Sequence, residues 1–233
     1  MDLNEVLKEL ESYADERTKN THIKHGAQEP LFGVKVADLK KILKKTKKDH
    51  ELSLALYETG ISDAMYLAGL MADEKKISKK QLNDWVEKAY WYFLSEYAVP
   101  WVAAETEHGF ELGLTWIKSK EETIASAGWS TLSNYASINE SLDLDTYESL
   151  LDQVERDINQ AQNRVKYTMN GFVIAIGCYI PELSQKAKEI AKRIGKVTVF
   201  MGETSCKVPL ALDYILKVED KNSIGKKRKM ARC

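Results

Sequence analysis

The chain has 233 residues, 44% hydrophobic and 30% charged, enough for one ordinary domain or one elongated repeat array. A net charge of −1 excludes an overall polycation but leaves room for a basic face. Few prolines and glycines argue against a turn-rich all-β chain, no apolar run is long enough for a membrane span, and three scattered cysteines without a C-x-x-C pair suit a reducing cytoplasm.

Residues 2–17 read as a helix with Leu3, Val6, Leu7 and Leu10 on one face. A loop holding Asn20, Gly26 and Pro30 follows, and Gly33 to Val36 leads into a helix over 36–47 with Val36, Leu39, Ile42 and Leu43 inward. Helices over 49–59 and 61–73 form a pair hinged at Gly60. Ser78 caps the next helix, and Pro100 marks a start or kink near its successor. Further helices fit 109–118, 121–137, 143–159, 163–180, 182–194 and 209–219, with Pro181 and Pro209 at or near first turns and Gly195 as a C-cap.

A weak repeat runs through this pattern. Ala68-Gly69-Leu70, Ala127-Gly128-Trp129 and Asn170-Gly171-Phe172 each set a glycine before a large apolar residue inside a helix, with Ala98-Val99-Pro100 as a degenerate copy. Three steps from Gly69 to Gly171 average about 34 residues, the period of one helix pair in a solenoid. Glycine inside a helix costs about 1 kcal/mol against alanine, so its recurrence implies close helix–helix approach. The expected fold is all-α: one HEAT-like helical repeat domain over 1–220, then a basic tail over 221–233.

Positive charge is uneven. Seven lysines fall in 35–48, four in 75–80, and six basic residues without an acid in 221–232. Solvated helix faces account for such runs equally well. The tail group Lys226, Lys227, Arg228 and Lys229 carries the strongest electrostatic signal for a polyanion. Arg164 and Lys166, at the start of an apolar helix, could hold phosphates beside free backbone N–H groups. Seven aromatics crowd 85–101, among them Trp91, Tyr92 and Phe93, with Glu96 between them; an inward Glu96 would have a raised pKa. The His22-x-x-His25 pair lacks further ligands at metal spacing, and no nucleotide, nucleophile or zinc motif is present, so no metal and no cofactor is expected.

Several stretches resemble the AlkD-like HEAT-repeat family of bacterial alkylpurine DNA glycosylases: Phe32-Gly33-Val34-Lys35 through Lys41, Asp84-Trp85-Val86 through Trp116-Ile117, Ala127-Gly128-Trp129, Tyr167 through Gly177, and Cys206-Lys207-Val208-Pro209 with Ile224 through Lys229. The resemblance implies a solenoid whose basic concave face holds duplex DNA, with N3- or N7-alkylated purines excised by glycosidic hydrolysis. It places the site tryptophan at Tyr92, the first aspartate at Phe93, the catalytic aspartate at Glu96, the arginine at Ser126 and the last tryptophan at Phe172, with Trp91 in support. Lys35 and Lys207 join the expected DNA-binding set. A carboxylate there would stabilise the sugar cation, and aromatic faces would add cation–π attraction. The expectation is therefore a monomeric DNA-binding protein of the alkylation-repair family that excises alkylpurines. The alternatives are a non-catalytic binder of branched or distorted DNA, favoured by the missing arginine, and a protein-interaction scaffold.

Overall fold

The computed structural model describes residues 1–232, which contain helices and loops and no strand. The amino end holds two helices where one was expected. α1 (Leu3–Ser12) starts at an Asp2–Glu5 capping box, and α2 (Glu16–Lys24) starts afresh at Asp15, whose carboxylate accepts from the Thr18 N–H at 2.7 Å. A side chain that satisfies an orphan N–H nucleates a new helix end, so the segment breaks there and Asn20 lies in α2, not in a loop.

α3 (Val36–Thr46), α4 (His50–Glu58), α5 (Ser62–Met71) and α6 (Lys79–Lys88) follow, the last on a Ser78–Gln81 capping box. Next come π1 (Phe93–Ala98), α7 (Val99–Glu105), α8 (Gly109–Trp116), α9 (Glu122–Ile138), α10 (Leu144–Asp157), α11 (Asn163–Tyr179), α12 (Pro181–Ile194) and α13 (Ala211–Glu219). Gly195 C-caps α12 at φ +65° and Pro181 opens it. Pro209 instead precedes the Leu210 N-cap of α13.

Each of α4, α8, α10 and α12 packs on the helix that follows it, α6 packs on α7 and α9, and α5, π1–α7, α9, α11 and α13 stack as a continuous row. This is the expected HEAT-like order of helix pairs. Every residue of α5 is buried, which fits a helix enclosed by neighbours on all sides. Two of the three repeat glycines permit close approach. A Cβ on Gly69 would stand 2.8 Å from the Ala98 Cβ, and one on Gly128 would stand 2.5 Å from the Ile117 nitrogen. Gly171 departs from the pattern, since a Cβ there would meet nothing within 4 Å.

π1 explains how the chain passes Pro100. Proline cannot donate to the carbonyl four residues back, and the wider turn, in which Val99 N–H reaches the Leu94 carbonyl, carries the helix through.

The basic carboxyl segment folds onto the body. It runs along the C-terminal ends of the row helices. Gly225 N–H donates to the Cys178 carbonyl beside the end of α11, and Arg228 N–H donates to Ser137 near the end of α9, both at 2.8 Å. Lys227 Nζ donates to the Ala136 and Tyr179 carbonyls, each at 2.8 Å. Arg232 is buried; its guanidinium donates to the Ala72 carbonyl past α5 at 2.6 Å and to the carboxylates of Glu105 and Glu74, each at 2.8 Å. Cations on terminal carbonyls suit the negative end of the helix dipole.

Candidate functional site

The expected site residues part company in space. Phe172 has no exposed surface and packs against Trp129 and Tyr147 at ring-centroid distances of 5.0 and 6.0 Å. It is a core residue, contrary to its expected place beside a substrate. Trp91 is also buried. Its indole N–H donates to Ser62 Oγ at 2.9 Å and its ring stacks on Phe93, so it supports the site from behind. Ser126, where the resemblance placed an arginine, is wholly buried.

A guanidinium reaches the site by another route. Arg164, on the first turn of α11, donates from Nε and Nη2 to the two oxygens of Glu96 at 2.7 and 2.6 Å. This bidentate fork is the strongest geometry available to such a pair. The guanidinium carbon lies 4.7 Å from the Tyr92 ring centroid and 4.4 Å from that of Tyr167, within cation–π range of both. Nη1 faces the Met201 sulfur at 3.4 Å. The backbone N–H of Arg164, expected to be open to phosphate, donates to Glu122 Oε1 at 2.7 Å. Neither the side chain nor the N–H of Arg164 is a free phosphate ligand in this arrangement.

The Glu96 side chain is 2% exposed and that of Arg164 is 18% exposed. Burial pushes the Glu96 carboxyl up to about 7, against the pull of the Arg164 guanidinium. Burial also works against the Arg164 cation, but Glu96 outweighs it and leaves the guanidinium more basic than usual. Arginine stays protonated throughout, so acidification below neutrality neutralises the carboxylate alone. Burial raises the Tyr92 hydroxyl to about 12 and raises Tyr97 and Tyr167 as well.

The two histidines, set aside as metal ligands, belong to this site as packing groups. Both lie near the end of α2, three residues apart and so on one helical face. His22 contacts Trp91 and Phe93, and His25 meets Tyr92 edge-on at 5.7 Å. Burial lowers both imidazoles, which keeps them neutral at pH 7. Among the described residues no cluster has the makings of a metal site. The loop between α12 and α13 closes over the same region. Asn163 and Phe200 exchange hydrogen bonds of 2.8 and 2.7 Å, Cys206 Sγ lies 3.9 Å from His25 Nε2, and Gly202 lies against the Lys24 carbonyl.

Asp63 was not anticipated. Its buried carboxylate accepts from the backbone N–H groups of Phe32, Gly33 and Val34 at 2.6, 3.2 and 2.7 Å. This fixes the Phe32-Gly33-Val34 turn, where Gly33 has φ +76° and no room for a Cβ beside Lys19.

Lysines without an ion pair among the described residues gather near the N-terminal end of α11. Gln162 holds the Lys120 carbonyl at 3.2 Å, Lys166 is half-exposed on the helix itself, and Lys24 and Lys207 are exposed on the flanking segments. Lys35 is exposed but paired with Asp15 at 3.2 Å. Lys226 and Lys229 are exposed at the other end of the row, beside the engaged Lys227 and Arg228. α11 has 17 residues, so roughly 25 Å separates its two ends. The carboxyl segment and the Glu96–Arg164 pair therefore lie on opposite edges of the stack. Among the described residues no helix is long and apolar enough to cross a membrane.

Stacked helix pairs around a carboxylate–guanidinium pair in an aromatic nest define a helical-repeat protein of HEAT-like architecture. The family profile described as DNA alkylation repair enzyme matches residues 6–197, and the chain belongs to that family. A solved structure from a new family of proteins related to the HEAT-like repeat DNA glycosylases, with affinity for branched DNA structures, superposes over 100% of both chains with a TM-score of 0.91 and 36% identity. Uncharacterized proteins of Listeria monocytogenes and Listeria innocua are each 34% identical over 219 residues, covering 91% of this chain and 95% of theirs.

Proposed function

We propose that the protein binds branched or distorted DNA along the edge where α9 and α11 begin, and that it is not an efficient glycosylase. The observation that carries the second half is the state of Glu96. Excision needs a carboxylate beside the sugar to stabilise developing positive charge, and here both oxygens are held by Arg164 in a nearly inaccessible pair. The structural relative with affinity for branched DNA supports the first half. Lys24, Lys120, Lys166 and Lys207 supply cations for phosphates. Phe200, 71% exposed in the adjoining loop, offers a ring for a base left unstacked at a branch.

Fluorescence anisotropy with a four-way junction and with linear duplexes of the same sequence tests this reading. The junction should bind more tightly. Four phosphate contacts give a log–log salt slope of about −3.6. Lys120→Glu and Lys207→Glu should weaken binding, while Lys229→Glu on the opposite edge should not. Equal affinity for junction and duplex would remove the structural preference. Release of 7-methylguanine from methylated DNA, lost in Glu96→Gln, would restore the excision reading.

A further inference from the structure

The Glu96 pair has the form of an occupied binding site. A carboxylate at the floor accepts two parallel N–H bonds, the faces of Tyr92 and Tyr167 lie against the flat group that donates them, and the Met201 sulfur meets its free end. Nothing in this arrangement is specific to an arginine of the same chain. It suits any planar group presenting two adjacent N–H donors.

We infer that the Glu96–Tyr92–Tyr167 cage is a receptor for a guanine base, and that Arg164 is its built-in occupant, which must swing out before the base enters. Of the four DNA bases only guanine offers two adjacent N–H donors on its pairing edge, N1–H and the N2 amino group. Adenine, cytosine and thymine each set an acceptor beside the donor, which would face a carboxylate oxygen. A base read on that edge has left its pair, as bases do when extruded from a helix or freed at a branch.

The route out for Arg164 is visible. Its side chain keeps 18% of its surface exposed where that of Glu96 keeps 2%, so the guanidinium stands on the solvent side of the carboxylate. Lys166 and Lys120 nearby give an incoming phosphate other cations to meet. A phosphate that draws the guanidinium away leaves Glu96 without a partner, and a two-donor base edge replaces what was lost. Competition between two donors for one carboxylate makes the cage closed in the free protein and open in a complex.

The test uses nucleosides and the full chain, and it rests on the site geometry rather than on the DNA reading. Arg164→Met keeps the aliphatic stem and removes the fork. Arg164→Lys keeps a cation beside Glu96, so the experiment survives if the methionine variant does not fold. Calorimetric titration of each folded variant with guanosine, inosine, adenosine and guanidinium chloride is the measurement. Guanosine and guanidinium should bind Arg164→Met, with guanosine about 10-fold tighter than inosine, which lacks the second donor. Adenosine should not bind, the wild-type protein should take none of them, and Glu96→Gln added to either variant should abolish the preference. In Arg164→Lys the order should hold at lower affinity.

Folded variants that bind neither guanosine nor guanidinium would overturn the inference. So would adenosine binding equal to guanosine, or a wild-type protein that already binds guanosine. Guanosine selectivity without junction affinity would leave this inference standing and remove the DNA reading alone; junction affinity without guanosine selectivity would do the reverse.

Discussion

Replacing Arg232 with alanine should loosen the whole stack, although the residue lies second from the carboxyl end. Its guanidinium is 7% exposed and bridges Glu105 and Glu74 at 2.8 Å each, while Nη1 closes the Ala72 carbonyl at 2.6 Å. Removing one partner of a buried pair costs about 3–5 kcal/mol. The Glu74 and Glu105 side chains keep 19% and 12% of their surface, so water can partly replace the guanidinium and the lower end applies, about 3 kcal/mol. At roughly 2–4 °C per kcal/mol for a chain of this size, the melting temperature should fall by about 6–12 °C. Thermal denaturation followed by circular dichroism reads this directly. Arg232→Lys should recover only part of the loss, since a point charge cannot fork between two carboxylates and a carbonyl. A fall under about 2 °C for Arg232→Ala would mean that the segment is not bound as described, and its cations would return to the list of phosphate ligands.

Other perturbations follow from the packing. Gly128→Ala forces a Cβ to within 2.5 Å of the Ile117 nitrogen and should destabilise by about 2–3 kcal/mol through overpacking, whereas Gly171→Ala meets nothing and should stabilise by up to about 1 kcal/mol; urea unfolding of both variants checks the contrast. Asp63→Ala leaves three backbone N–H groups without their acceptor and should cost about 3 kcal/mol or more, with Asp63→Asn intermediate in the same assay. The raised Glu96 carboxyl gives a signed pH effect. The native state holds a proton that the unfolded chain releases near 4.5, so this group's contribution is present below 4.5 and is lost as pH rises to about 7. Wild type should therefore lose stability relative to Glu96→Gln across that window, and parallel melting curves from pH 4.5 to 7.5 would contradict it.

Periodicity made the helix pairs legible because each outer helix carries an apolar stripe, as α1, α6, α10 and α12 do. It failed where the decisive group was local or distant. Asp15 and Thr18 form a cap that divides 2–17, a signal present in the sequence but hidden by the continuing apolar pattern. Phe172 shows the opposite limit. Row helices such as α5 and α11 are apolar on most sides, so periodicity cannot separate a core face from a groove face. Pro100 announced an irregularity, but the π-turn that absorbs it depends on the Leu94 carbonyl being in reach. The Glu96–Arg164 pair joins residues 68 apart, and no local pattern links them. The resemblance singled out Glu96 and Tyr92, yet its arginine position fell on buried Ser126, and the guanidinium beside Glu96 came from a helix where it had been read as a phosphate ligand. His22 and His25 were visible only as a metal motif, because their aromatic neighbours lie on π1 and the residues just before it.

The division of charge between the two edges has a common cause. The carboxyl segment touches the C-terminal ends of α5, α7, α9 and α11 in turn, so these four helices run parallel. Parallel helices add their dipoles, which makes one edge of the row a line of carbonyls and the other a line of N–H groups. Lys227 and Arg232 neutralise the carbonyl edge with hydrogen bonds inside the fold, leaving those cations unavailable to a polyanion. The N–H edge has a surplus of partial positive charge. Glu122 meets one N–H of it at the start of α11, and Lys120 and Lys166 reinforce the rest. Basic residues far apart in the sequence thus serve two opposite electrostatic purposes, and the proposed DNA path follows the N–H edge, where the lysines add to the helix-end charge instead of neutralising it.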